Sequence, residues 1–149
     1  MRRILQQLSL VSVLLAGNAV ADEPSSGALT VRLQALQSAK GKAGCWLFDA
    51  AHAKAYPTEP EVARALRWGS IAGSGSLISF EGLAPGTYAL ACFHDENGNG
   101  KLDTNWLGIP NEGMVASNHA KGRMGPPKFE DAKFAFTGPA LELVLKVKY

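Results

Sequence analysis

The hydrophobic and polar positions of this chain alternate in a way that is typical of β-strands. Leucine and valine occupy every second position over residues 29–33 and again over residues 141–147, so one face of each segment can pack on a core while the other meets water. Glycine and proline turns separate the candidate strands. The predicted strands are Leu29–Ala35, Cys45–Phe48, Ser76–Phe80, Thr87–Phe93, Lys133–Phe136 and Leu141–Val147.

The segment between the second and third strands predicts a helix instead. Thr58 and Glu61, three residues apart, form the pattern of a capping box. Apolar residues at helical spacing follow over residues 62–66, and Gly69 ends the run. We therefore expect a short helix that connects these two strands.

Strands at this spacing with Gly and Pro turns favour an all-β fold. We expect an antiparallel Greek-key β-sandwich of the immunoglobulin or transthyretin kind, with 6–7 strands and one short connecting helix. The tight turn Leu83–Gly86 suits such a domain. We assign residues 29–149 to this single domain and residues 22–28 to a flexible leader.

Residues 1–21 have the pattern of a cleavable signal peptide. Arg2 and Arg3 precede an apolar stretch from Leu8 to Ala16, and Ala19-Val20-Ala21 supplies a small-x-small cleavage site. The apolar stretch is shorter than the ~20 residues that span a bilayer. We therefore expect a periplasmic or secreted protein with no transmembrane anchor after signal removal.

Removal of the signal also changes the charge of the chain. The full sequence carries 15 basic and 13 acidic residues, a net charge of +2. Because Arg2 and Arg3 belong to the signal, the mature chain is left with equal numbers of both. No basic excess indicates a nucleic-acid partner, and the predicted partner is an unidentified protein or small-molecule ligand.

Cys45 and Cys92 each lie within a predicted strand. Export carries them to an oxidising compartment, where a disulfide can persist. A bond requires that their strands be adjacent and in register. Both a disulfide and two buried thiols fit the sequence, and we favour the disulfide.

Oxygen-bearing side chains recur at every second position after the fourth strand. Their spacing matches the start of a calcium loop, D-x-[DN]-x-[DN]-G. Ca²⁺ prefers six to eight oxygen ligands, which a tightly curled loop can aim inward. Gly100 allows the sharp turn that brings the carbonyl of the next residue onto the ion. The predicted Ca²⁺ ligands are Asp95, Asn97, Asn99, Lys101 (through its carbonyl) and Asp103.

The loop departs from an EF-hand in two respects. Trp106 stands at the twelfth position, where an EF-hand has a bidentate Glu, and a strand precedes the loop instead of a helix. Glu112 is the best candidate for a further ligand, since Gly108-Ile109-Pro110 can fold it back. An Asn/Gly-rich hairpin turn without metal is the alternative interpretation.

Two histidines suggest a different chemistry. Together with Asp95 and Asp103, His94 and His119 could form a transition-metal site. Against this, Asn97 is a hard, neutral oxygen ligand that suits calcium, and a histidine at a strand end often bonds nearby backbone. No pairing of a nucleophile with a base is readable, so we identify no catalytic residue.

The segment from Thr104 to Glu130 shows no regular pattern and is rich in Gly and Pro. Long irregular segments in a compact domain are usually functional or disordered. We expect an ordered segment, either a ligand-binding lid or a cap over the sandwich. The residues predicted to anchor it are Trp106, Leu107, Ile109, Met114 and Phe129.

Over roughly residues 29–149 the chain resembles the bacterial exported family known as domain of unknown function 2141. The resemblance implies an exported β-sandwich and implies no activity, substrate or catalytic residue. The motifs that carry it are LAPGTY at 83–88, HDENGNGKLDTN at 94–105, LGIP at 107–110, EG at 112–113, SN at 117–118, GPP at 125–127 and FEDA at 129–132.

These observations favour an exported, non-enzymatic β-sandwich that acts as a binding or accessory module and is stabilised by Ca²⁺ in the loop from Asp95 to Asp103. One alternative is a transition-metal protein or hydrolytic enzyme centred on His94, Asp95, Asp103 and His119. The other is a purely structural carrier of a small apolar ligand.

Overall fold

A computed structural model describes residues 25–149, and the predicted signal peptide at residues 1–21 lies outside the described residues. Within the described range the chain is mostly β-structure, with one four-residue helix, α1 (Phe129–Ala132), and three short 3-10 helices. The strands are β1 (Gly27–Gln34), β2 (Lys42–Asp49), β3 (Ala65–Gly69), β4 (Ile71–Ala72), β5 (Gly75–Leu83), β6 (Gly86–Asp95), β7 (Met114–Ala116), β8 (Phe134–Phe136) and β9 (Ala140–Lys146).

These nine strands form two sheets that share one core. The first sheet has the order β4-β5-β1-β9, and the second has the order β3-β2-β6-β7 with β8 also paired to β6. Buried side chains of both sheets, such as Val31 and Leu47, belong to one apolar cluster. The predicted all-β fold is confirmed, with nine described strands in place of the expected six or seven.

The expectation of a wholly antiparallel fold is wrong at one pair of strands. β1 and β9 run parallel, with Leu29 opposite Leu141 and Leu33 opposite Leu145. The alternation of apolar residues is compatible with both parallel and antiparallel pairing. Because the two strands lie near opposite ends of the domain's sequence, no short turn connects them and fixes their relative direction. β1 itself begins at Gly27, two residues before the predicted start.

The predicted connecting helix is also wrong. Residues Pro60–Val62 form a single 3-10 turn, and no side chain caps its start. The chain then enters β3, which pairs antiparallel with β2 and places Leu66 opposite Trp46. Pairing with an existing strand overrides the local helical spacing, since Leu66 gains packing against the sheet that an exposed connector would not offer.

The central strands β2 and β6 are buried on both faces. Inward-facing residues of these strands join the core between the sheets, whereas Trp46, Phe48, Ala91 and Phe93 form a second apolar cluster on the outer face. Tyr56 and Phe129 cover that outer face from the connecting segments. Burial on both faces explains why these strands read as continuous apolar runs without alternation.

Cys45 and Cys92 lie directly opposite each other on the antiparallel strands β2 and β6. They form the predicted disulfide bond. The bond joins the two central strands of the second sheet, and both half-cystines face the core between the sheets.

The segment from 104 to 130 is ordered, as expected, and holds more regular structure than its sequence pattern indicated. It contains β7, a 3-10 helix at Ser117–His119 and the start of α1. Phe129 is buried and Met114 packs against the outer cluster, as predicted. Trp106, Leu107 and Ile109 were expected to anchor the segment, but they project into solvent. From Ser25 onward, no helix is long and apolar enough to cross a membrane.

Candidate functional site

The oxygen-rich loop, residues 95–103, begins where β6 ends. Asp95 is fully buried, and its two carboxylate oxygens accept hydrogen bonds from the backbone amides of Asn99 and Gly100 at 3.1 and 2.8 Å. The carboxylate therefore holds the following backbone in a curl around itself. Gly100 has a φ of 81°, a left-handed conformation that glycine adopts without steric cost.

Asp103 closes the loop from its other end. Its carboxylate accepts hydrogen bonds from the side-chain amides of Asn97 at 2.6 Å and Asn99 at 2.8 Å. The amide oxygens of these asparagines accept from the backbone amides of Asn99 and Lys101. The structure thus brings together four of the predicted side-chain ligands, with Lys101 adjacent to them through its backbone.

Glu112 returns to the loop, as the sequence suggested. Its side chain is buried and accepts hydrogen bonds at 3.1 Å from the backbone amides of Glu96 and Asp103. Asn105 makes this return possible, because its side-chain oxygen accepts from the amides of Leu107 and Ile109 and so turns the chain. The sixth predicted residue therefore lies beside the other five.

The loop concentrates negative charge. Asp95, Asp103 and Glu112 are joined by the hydrogen bonds just described, and all of their partners are neutral amides. Within residues 25–149 none of the three forms a salt bridge. Carboxylates that lose water without gaining a cation are unfavourable, and the arrangement would be stabilised by a hard cation with oxygen ligands.

Among the described residues, no three or more His, Cys, Asp or Glu side chains form a group that could hold a metal ion. The transition-metal alternative needs such a group from His94, Asp95, Asp103 and His119. Instead, Nε2 of His119 accepts a hydrogen bond from the backbone amide of Lys146. A cation in the oxygen-rich loop would depend on amide and carbonyl oxygens as well as carboxylates.

His94 anchors the C-terminus of the chain. It is fully buried, with Nε2 2.8 Å from the carbonyl of Lys40 and Nδ1 2.6 Å from the hydroxyl of Tyr149. The carbonyl can only accept, so Nε2 carries a proton and donates to it, while Nδ1 and the hydroxyl of Tyr149 share the second hydrogen bond. Burial raises the pKa of Tyr149, which keeps this hydroxyl available as a donor. Both ring nitrogens are therefore occupied by structural bonds.

The sequence matches the model of one protein family. The model described as "Uncharacterized protein conserved in bacteria (DUF2141)" matches residues 31–143. The chain belongs to this family. The match spans the oxygen-rich loop, Glu112 and both cysteines, and it confirms the resemblance found in the sequence. No curated protein and no solved structure matches the chain.

One further feature beside the loop was not predicted from the family motifs or from the alternation. An open groove of about 1160 Å³ lies over the outer face of the second sheet, with Trp46, Ala91 and Met114 among its lining residues. Residues from the two segments 100–110 and 122–127 line it as well. The sequence offered one signal, the apolar residues scattered through a segment rich in Gly and Pro. Several of them are the residues predicted to anchor this segment.

Proposed function

We propose that this chain is an exported, non-enzymatic β-sandwich that acts as a binding or accessory module, and that its oxygen-rich loop binds Ca²⁺. One observation carries the calcium proposal. Asp95, Asp103 and Glu112 are linked through amide groups in one hydrogen-bond network and have no cationic partner within the described chain. A bound cation would compensate the negative charge of these carboxylates.

Each residue has a distinct role in the proposed site. Asp95 and Asp103 supply charged oxygens, and the carbonyl of Lys101 supplies a neutral one. Asn97 and Asn99 now direct their amide N–H groups to Asp103, and would turn their oxygens to the ion in place of these bonds. Glu112 supports the site from beside it. With few carboxylates in the core motif, we expect a Kd of about 10⁻⁴–10⁻³ M, the range of extracellular calcium modules.

Calorimetry on the purified protein tests the proposal. We expect measurable heat on titration with Ca²⁺, and a melting temperature that EDTA lowers. At a calcium concentration of about 100 times Kd, binding adds about 2.7 kcal/mol to the free energy of unfolding. The variants Asp95→Asn and Asp103→Asn are expected to lose both signals, because each removes a charged ligand.

Glu81→Gln is the matched control, since Glu81 is an exposed acid on β5 of the other sheet. This variant changes net charge by the same amount and should bind Ca²⁺ like the parent. Absence of both heat and a calcium-dependent melting shift in the parent protein would refute the calcium proposal.

Export and the finer fold assignment belong to the same proposal. The disulfide between Cys45 and Cys92 supports export, because such bonds persist in oxidising compartments. The strand order, with β5 beside β1 and β2 beside β6, supports a Greek-key sandwich of the immunoglobulin or transthyretin kind, in which crossings between the sheets make strands distant in sequence into neighbours.

A further inference from the structure

The four most exposed large hydrophobic side chains in the described part of the chain come from two loops. Trp106, Leu107 and Ile109 are 90%, 60% and 55% exposed, and Met124 is fully exposed. Residues of both loops line the groove over the second sheet. We call these four residues the apolar rim. Single exposed hydrophobics are common, but a cluster of this kind marks an interaction surface.

The apolar rim lies only partly within the groove. Leu107, Ile109 and Met124 line the groove, whereas Trp106 does not. A ligand seated in the groove would therefore leave the indole of Trp106 in water. A partner that covers all four side chains must therefore extend beyond the groove.

Cationic side chains surround the rim. Lys101, Lys121, Arg123 and Lys128 are exposed and border the groove or the depression next to it. Within residues 25–149, none of these four side chains forms a salt bridge. The acids that line the same two depressions are Glu61 and Asp131, so the lining carries four cations against two acids. The acids of the oxygen-rich loop lie outside this lining.

This combination favours a lipid surface over a protein surface. Trp, Met and Arg are also frequent in protein interfaces, but lysine is depleted there, and three of these four cations are lysines. Tryptophan is enriched at the boundary between lipid headgroups and acyl chains, because its ring is apolar and its N–H is polar. Each Lys or Arg near an anionic leaflet adds electrostatic attraction.

We propose that the apolar rim docks on an anionic phospholipid bilayer. Trp106, Leu107, Ile109 and Met124 enter the boundary between headgroups and acyl chains, and the surrounding cations contact lipid phosphates. The inference goes beyond the proposed function and does not require the calcium ion, because the rim and the cations are residues of the chain itself.

Vesicle cosedimentation tests the proposal with the protein recovered from an exporting bacterial host. We expect binding to vesicles that contain phosphatidylglycerol and little binding to pure phosphatidylcholine, in EDTA as well as in Ca²⁺. The double variant Trp106→Ala/Met124→Ala should lower the partition coefficient at least about tenfold, the effect of losing one buried large apolar side chain. Lys121→Gln/Arg123→Gln should lower it about thirtyfold at low salt and much less at high salt.

Matched controls come from the first sheet. Leu77→Ala removes a side chain on β5 that is 53% exposed, and Lys146→Gln/Lys148→Gln removes two exposed cations near the C-terminus. Both should bind vesicles like the parent, and all variants share one N-terminus, so differences report the substituted residues.

Equal binding by rim variants and controls would overturn the proposal. So would absence of binding to anionic vesicles, or binding of monomeric lipid alone. A parent protein that binds anionic vesicles but not Ca²⁺ would refute only the calcium proposal.

Discussion

At the scale of single residues, two side chains complete the hydrogen bonding of strand β6. β7 pairs with residues 91–93 of this strand and β8 with residues 86–88, which leaves Leu90 between them. Its backbone amide donates to the hydroxyl oxygen of Ser117 at 2.9 Å, and its carbonyl accepts from the hydroxyl of Tyr56 at 2.8 Å. Burial raises the pKa of Tyr56, so this phenol stays protonated and remains a donor.

Ser117→Ala is predicted to destabilise the fold. The hydroxyl of Ser117 also donates to the carbonyl of Ala132, so its loss leaves two buried backbone groups without partners. We expect the free energy of unfolding to fall by about 1–3 kcal/mol in a urea titration. Ser79→Ala, at an exposed position on β5, should change it by less than about 0.5 kcal/mol. Equal stability of the two variants would contradict this role for Ser117.

At the scale of elements, the pair β2 and β6 organises the molecule. These strands pair along eight residues of each, supply both apolar clusters and carry the disulfide. β6 also delivers Asp95 to the oxygen-rich loop. The register of this one pair therefore determines where the candidate site begins.

Loss of the disulfide is predicted to weaken the fold without changing its strand pairing. Cys45 and Cys92 are 47 residues apart in the sequence, and closing a loop of this length removes unfolded-state entropy worth about 4 kcal/mol. Native disulfides typically contribute about 2–5 kcal/mol. We expect Cys45→Ala/Cys92→Ala to melt well below the oxidised parent while retaining the β-sheet circular dichroism.

The reductant serves as the internal control for this prediction. Reduction should lower the melting temperature of the parent toward that of the double variant, and should leave the variant, which has no thiol, unchanged. A parent whose melting temperature is the same with and without reductant would show that the bond does not contribute to stability.

At the scale of the whole molecule, the two sheets form the base, and long segments between strands lie over the outer face of the second sheet. The oxygen-rich loop, the groove and the apolar rim all belong to residues 95–128 or border them. A stable β scaffold that presents long loops is a common arrangement for binding. The predicted export signal would bring this surface to a compartment where calcium and lipid headgroups are available.

Signal cleavage is the prediction at this scale. Expression of the full chain in an exporting bacterium should yield a mature protein that starts at Asp22, as read by mass spectrometry. Replacing the small residues by Ala19→Leu/Ala21→Leu should block processing, whereas Val20→Leu, at the position between them, should not. Recovery of the parent with an intact Met1 would contradict the signal assignment.

The sequence by itself determined the local features of this protein. Period-two alternation located the first and last predicted strands, because burial of one face imposes that pattern on a half-buried strand. Apolar runs between Gly and Pro turns located the other four. The spacing of Asp95, Asn97, Asn99 and Asp103 located the oxygen-rich loop, because a loop that wraps around its own carboxylate needs acceptors at alternate positions and glycine at the turn. These features depend on neighbours within a few residues, so the sequence carries them directly.

Only the tertiary structure decided the features that depend on distant partners. The parallel pairing of β1 with β9, the strand β3 in place of a helix and the bond between Cys45 and Cys92 each require a strand far away in the sequence. Trp106 is a further example, since the sequence pattern around an apolar loop residue is the same whether the side chain packs inward or projects into solvent. Its exposure is decided by which surface lies beneath the loop, and that surface is assembled from the whole chain.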